Sequence, residues 1–161
     1  MKLIFLDFDG VLAPFRESGS YEYVCQDIVG DKGCLKFEDD CVKALNTLTD
    51  KTKSNIVISS SWRYYIPDLP IMKSMCEAQG VTGKVVGMTD SWGNMYNGRK
   101  EEVLGYIDQL EVDSFIIIDD TNFSWGEISG HWIHTDPNTG LTHKDTLRGI
   151  EILGYNSVGN Q

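Results

Sequence analysis

Three short apolar runs in this chain each stop at a polar cluster. Residues 2–8 (KLIFLDF) run into Asp7 and Asp9, residues 55–59 (NIVIS) into Ser60 and Ser61, and residues 114–118 (SFIII) into Asp119 and Asp120. A nearly continuous apolar run of this length is the pattern of a strand buried on both faces, as in a parallel sheet covered by helices. All three runs meet their polar residues on the C-terminal side, so parallel pairing would deliver those groups to one edge of the sheet. Residues 84–88 (KVVGM) read as a weaker fourth strand, and residues 131–134 (HWIH) as a short fifth at an edge.

Helical patterns alternate with these runs. Residues 39–48 place Val42, Leu45 and Leu48 at three-residue steps behind the acidic turn Glu38-Asp39-Asp40, which suits the positive end of a helix dipole. A second helix is expected over 71–79, after Pro67 and Pro70 and before Gly80. A third, over 100–110, carries Val103, Leu104, Ile107 and Leu110 on one stripe, and a fourth, over 142–153, carries Leu147, Ile150 and Leu153. Thr142 is the natural N-cap of the fourth, with Asp145 as its capping partner. The alternation predicts an α/β fold, a doubly wound, Rossmann-like parallel sheet of about five strands with right-handed crossovers and helices on both faces.

The 161 residues suffice for one domain, 1–161. Residues 14–36 are too long for a plain connection and too short for a domain, so they are expected to form a flap, hairpin-like, overhanging the strand ends. The stretches 90–98 and 121–130 read as loops and 155–161 as a loose tail. Against 24 acidic residues stand 14 lysines and arginines, a net charge of −10, the wrong sign for coating nucleic acid non-specifically. Any nucleic-acid substrate would be gripped locally. The first apolar run is cut by Asp7 and Asp9, leaving no signal-peptide core or membrane span, and a cytoplasmic location is expected. Cys25, Cys34, Cys41 and Cys76 form no metal-binding pattern with His131, His134 and His143 and read as free thiols.

Ligands of parallel α/β sheets bind beyond the carboxyl ends of the strands. The residues gathered there are Asp7, Asp9, Ser60, Ser61, Asp119 and Asp120, with Arg99 and Lys100 arriving at a helix start. Four crowded carboxylates repel one another unless a cation neutralises them, and hard oxygen donors point to Mg²⁺ rather than Zn²⁺. The serines offer donors and the basic pair offers positive charge, which a tetrahedral oxyanion such as phosphate requires.

Leu6-Asp7-Phe8-Asp9-Gly10-Val11-Leu12 resembles the first motif of the haloacid dehalogenase-like (HAD) phosphohydrolases. Ser60 resembles their second motif, Arg99 or Lys100 the third, and Asp119-Asp120 the fourth in its acidic-pair form, all in family order. Within that superfamily, Ser59-Ser60-Ser61-Trp62-Arg63 and Thr135-Asp136 followed by Gly140-Leu141-Thr142 resemble the small HAD domain of Swiss-army-knife RNA-repair proteins.

The resemblance implies a HAD-like fold and a phosphatase in which Asp7 attacks phosphorus to give an aspartyl-phosphate, while Asp9 protonates the leaving oxygen and later activates water. It also implies Mg²⁺ held by the Asp7 carboxylate, the Asp9 backbone carbonyl and the Asp119/Asp120 pair, whose direct and water-mediated shares stay open. Ser60 and Ser61 would donate to phosphate, and Arg99 or Lys100 would neutralise it. Arg99 is preferred because its place before Glu101-Glu102-Val103 resembles the RNA-repair pattern. Arg63 is a candidate substrate contact, and Ser59 is read as satisfying backbone groups. Trp62, Tyr64 and Tyr65 can stack on a base, as can Trp92, Tyr96, Phe123 and Trp125, but packing is the commoner role of aromatics beside a strand end.

Family members choose substrates with cap insertions, and here neither interval holds a large cap. An open site favours a phosphomonoester on a nucleic-acid 3′ end, or a nucleotide. Another small phosphomonoester or a phosphoprotein is the alternative within the class. A signalling receiver would have its acidic pair after the first strand, whereas here it comes late in the chain. A non-catalytic module on a HAD scaffold would have lost Asp7, Asp9 or the acidic pair, and none is lost.

Overall fold

A computed structural model describes residues 1–90 and 98–155. In chain order the elements are β1 (Lys2–Leu6), β2 (Tyr23–Val24), α1 (Gln26–Val29), β3 (Cys34–Leu35), α2 (Asp39–Thr52), β4 (Asn55–Ile58), α3 (Leu69–Ala78), β5 (Val85–Met88), α4 (Arg99–Ile107), β6 (Ser114–Asp119), β7 (Trp132–His134) and α5 (His143–Leu153). Five strands form one parallel sheet in the order β5-β4-β1-β6-β7, with β1 at its centre. The weak fourth and fifth strands of the sequence are its two edges. The expected flap is a small hairpin in which β2 pairs antiparallel with β3 around α1, and the described residues form no large cap.

The two faces of the sheet are covered unequally. Ile4, Leu6, Ile56, Ile58, Ile116 and Ile118 pack one way, against α2, α3 and α5. The alternate residues Leu3, Phe5, Val57 and Ile117 pack the other way, against Val103 of α4 and against Trp125 and Ile128 around a 3₁₀ turn (Gly126–His131). Period-two alternation along each strand therefore divides the apolar side chains into two cores.

Helix boundaries differ from the sequence reading for local reasons. Helix α2 runs four residues past the expected end because Thr49 and Thr52 turn inward, Thr52 Oγ1 donating to Leu48 O at 2.7 Å, so the buried face continues without apolar residues. Helix α3 starts two residues early. Asp68 caps it by accepting from Ile71 N at 3.0 Å, and Pro70 sits in the first turn, where a missing N–H costs nothing. Helix α4 ends at Ile107, leaving Leu110 outside it and 42% exposed.

Helix α5 begins as expected, with Thr142 and Asp145 forming a capping box. Its buried face holds Ile150 and Leu153 as expected and differs at Leu147. Leu147 is half exposed, and Thr146 and Gly149 face inward with Ile150 and Leu153. Gly149 lets the helix approach Leu48 and Ile116 closely, where an added Cβ would sit 3.0 Å from the leucine. Apolar spacing favoured Leu147 because it does not register small residues that permit close contact. Ile150→Ala is expected to destabilise the protein by ~2–4 kcal/mol and Leu147→Ser by no more than ~0.5 kcal/mol, checked by urea unfolding.

Candidate active site

The last rungs of the sheet set one row of residues side by side. Asp7 N donates to Ile118 O, Ser59 N to Leu6 O and Thr89 N to Ile58 O, each at 3.0 Å, and Thr135 N donates to Asp119 O at 3.3 Å. The row therefore reads Thr89, Ser59, Asp7, Asp119, Thr135, one residue beyond or at the end of each strand. By strand alternation, Asp7 and Asp119 continue the face of Leu3, Phe5 and Ile117, the face that α4 covers. Arg99, the first residue of α4, enters from that side. Its Nη1 lies 2.7 Å from Asp119 Oδ2 and 3.7 Å from Asp7 Oδ1, and its guanidinium rests 4.6 Å above the Phe123 ring.

Beyond the row the chain after β1 turns tightly. Phe8 O accepts from the amides of Val11, Leu12 and Ala13, and Gly10 takes φ 74°. A side chain at position 10 would collide with the Asp120 carboxylate, so glycine allows the β1 loop and the β6 loop to meet. Thr135 Oγ1 donates to Gly10 O at 2.9 Å and fixes the turn.

Asp7, Asp119 and Asp120 each offer a carboxylate oxygen within 4.8 Å of the other two. Burial, then the neighbouring Asp119 charge, raise the Asp7 carboxyl well above the ordinary range, against the opposing pull of Arg99 and the Phe8 amide. Asp119 is pushed up to about 6 by burial, although Arg99 and the Thr121 amide favour its charged form. Asp9 stands apart from this trio. Trp62 Nε1 donates to its Oδ1 at 3.2 Å, and its carboxyl is raised chiefly because the surrounding protein disfavours the charge, even though its surface is open to solvent. Three hard-oxygen donors, two of them with raised pKa values (Asp7 and Asp119), fit a small divalent cation.

The other candidate residues are placed as follows. Ser60 is buried and its Oγ accepts from Trp62 N at 3.2 Å, capping a 3₁₀ turn (Ser61–Tyr64) that begins with Ser61. Ser59 is also buried, but its Oγ has no partner, contrary to the expectation that it serves backbone groups. Lys100 faces away and pairs with Glu127 at 2.8 Å, so of the two basic residues Arg99 is the one beside Asp7. Arg63 does not join the cluster. Its guanidinium is buried, donating to Ser60 O, to the Thr89 carbonyl and hydroxyl, and to Glu102 at 3.0 Å. It ties the 3₁₀ turn to the end of β5 and to α4. Tyr64 and Tyr65 are exposed, and Trp125 is buried in the α4-side core. Trp92 and Tyr96 lie outside the described residues.

Sequence reading named Trp62, Thr135 and Glu102 as motif positions without their polar roles and did not single out Thr121. Trp62 packs, as the commoner role of such aromatics suggests, here on Phe8 and Phe37, and also holds Asp9. Thr135 lies one residue beyond β7, in the same row as the acids, a signal that strand register alone would have carried.

A parallel sheet wound with helices on both faces, bearing an acidic site beyond its central strands, defines a small HAD-like α/β domain without a large cap. A family model described as the HAD domain in Swiss Army Knife RNA repair proteins matches residues 3–146, and the chain belongs to that family. Membership points to HAD-type hydrolase chemistry. No curated protein matches the chain. No described helix is long and apolar enough to cross a membrane.

Arg63→Ala is expected to cost ~3–5 kcal/mol, because it removes one partner of a buried ion pair together with the buried hydrogen bonds to Ser60 O and Thr89. Ser59→Ala, which removes an unpartnered buried hydroxyl, is expected to leave stability unchanged or slightly raised. Denaturant titration of both variants checks the contrast.

Proposed function

We propose that the chain is a Mg²⁺-dependent phosphatase that works through an aspartyl-phosphate at Asp7 and acts on a nucleic-acid 3′-phosphate or on a nucleotide. The observation that carries this reading is the Asp7 carboxylate, buried at the end of the central strand beside Arg99, Asp119 and Asp120. Three ionised carboxylates against one guanidinium leave two negative charges, which a divalent cation balances. Asp7 and Asp120 would hold Mg²⁺ together with the Asp9 carbonyl. Asp119, already engaged by Arg99 and the Thr121 amide, would act directly or through water. When bound, the ion would offset repulsion between Asp7 and the phosphoryl oxygens.

The chain's own residues carry the steps. An Asp7 carboxylate oxygen attacks phosphorus, the ester P–O bond breaks, and Asp9 passes its proton to the departing oxygen, giving the free alcohol and the aspartyl-phosphate. The raised pKa of Asp9 suits it to hold that proton. Asp9 then accepts a proton from water as the water oxygen attacks phosphorus, releasing inorganic phosphate and restoring Asp7. Arg99 offers positive charge to the transferring group, and the Ser60 hydroxyl and Ser61 amide offer donors to its oxygens.

Turnover of an aryl phosphate in Mg²⁺ is expected, with Asp7→Asn abolishing it and Asp9→Ala lowering kcat by ~10²–10⁴. A fully active Asp9→Ala protein would remove the acid/base assignment. Nucleotides and 3′- or 5′-phosphorylated oligonucleotides assayed together rank the substrates.

Metal linkage gives a second check. The ordinary carboxyl value of 3.8 rises to about 6 for Asp119 in the fold, so without metal this group lowers stability as pH rises from 3.8 to about 6. Protons and metal compete for the same carboxylate. Mg²⁺ is therefore expected to raise Tm at pH 7.5 and to lose that effect by pH 5. Scanning calorimetry with Mg²⁺ or with chelator tests this.

A further inference from the structure

Beside the acidic trio lies a cleft of about 460 Å³ that the chemistry above leaves unassigned. Asp9, Gly10 and Asp120 line it on the catalytic side, and Pro14, Phe15 and Tyr21 line it from the start of the flap. Asp7 is absent from the lining. In-line attack by Asp7 puts the departing oxygen on the far side of phosphorus, next to the group that protonates it. That group is Asp9, so the part of the substrate beyond the scissile bond extends into this cleft.

Its surface describes that part. Phe15 is 60% exposed, yet its position is fixed, because its amide donates to Pro137 O at 2.7 Å and so bonds the flap to the loop before α5. The next residue is fixed too. The Arg16 amide donates to Tyr21 Oη at 3.2 Å, and the Arg16 side chain pairs with Glu38. An exposed aromatic ring on a pinned backbone is a ready stacking face. Among the described residues lining the cleft, the charged ones are Asp9 and Asp120, both acidic. Of the flap cations, Arg16 pairs with Glu38 and Lys36 with Glu22 at 3.8 Å, and Lys32 is not part of the cleft lining. Among the described residues lining the cleft, a second phosphate would meet two carboxylates and no cation, and the net charge of −10 adds to the repulsion.

We propose that this cleft is the leaving-group subsite and that it takes the nucleoside of a nucleoside monophosphate, a neutral ring-bearing alcohol with no second phosphate. The proposal rests on the phosphatase reading and narrows it, favouring mononucleotides over polynucleotide ends, whose next phosphate is one nucleotide away. Phe15 acts as a specificity residue by stacking on the base, and Asp9 and Asp120 reject further negative charge.

Steady-state kinetics of the intact chain in Mg²⁺ on four probes test this: a nucleoside 3′-monophosphate, the matching 3′,5′-bisphosphate, a 3′-phosphorylated oligonucleotide and glycerol phosphate. The monophosphate is expected to exceed the bisphosphate and the oligonucleotide at least tenfold in kcat/KM. Phe15→Ala is expected to raise KM for the monophosphate roughly tenfold, with glycerol phosphate unaffected and Phe15→Trp restoring the wild-type value. Equal losses on the monophosphate and glycerol phosphate, or equal turnover of the bisphosphate or the oligonucleotide, would overturn the proposal.

Calorimetric titration of the nucleoside monophosphate into Asp7→Asn protein reads the cleft without turnover. Binding weakened roughly tenfold by adding Phe15→Ala supports the subsite, and unchanged binding overturns it. Phe15-dependent binding in a wild-type protein that hydrolyses no phosphomonoester would support the subsite while removing the phosphatase reading.

Discussion

The crowding of Asp7, Asp119 and Asp120 at the end of the two central strands is the constraint around which the rest of the molecule is arranged. Burial removes these charges from water and like charges at this separation oppose one another, and the raised carboxyls of Asp7 and Asp119 express chiefly the first and then the second effect. Each compensating partner comes from a different piece of chain. Arg99 arrives from α4, the Thr121 amide from the β6 loop and the Phe8 amide from the turn after β1. The cluster is tolerable where all of these converge, so sheet register and helix docking both bear on it.

Arg63 and Glu102 take a second, quieter part in that convergence. Buried inside the fold, the pair joins the serine-rich turn, the end of β5 and the first turn of α4, three residues after Arg99. A displacement of that turn would be felt at Arg99, and through it at Asp7 and Asp119. The arginine therefore influences the acidic site by holding scaffold, without reaching the site itself.

Much of this was legible in the sequence because strong, repeated signals carried it. The apolar runs ending in Asp7, Ser59 and Asp119 gave the parallel sheet and its polar edge, and the motif order gave the family. What escaped notice followed from small or polar groups facing inward. Thr49 and Thr52 lengthen α2, and Thr146 and Gly149 face inward on α5 where Leu147 does not. Arg63 looked like a ligand contact because arginine near a phosphate motif suggests one. A buried acid 39 residues away, invisible to local spacing, engages it instead. The partners of Asp9 and Gly10, Trp62 and Thr135, are likewise brought in by tertiary approach over 53 and 125 residues.

The polar row beyond the strands is stitched by the final rungs of the sheet ladder, with Asp7, Ser59, Thr89 and Thr135 each donating its amide to a neighbouring strand. Their protection against deuterium uptake is thereby coupled to opening of the sheet and not to loop breathing. The frame of the acidic site is hydrogen-bonded into the same ladder as the core, so adaptation to a bound molecule is expected from side chains and from the hairpin beside the cleft. A crevice whose floor is the end of a ladder can change shape at its rim while its base stays still.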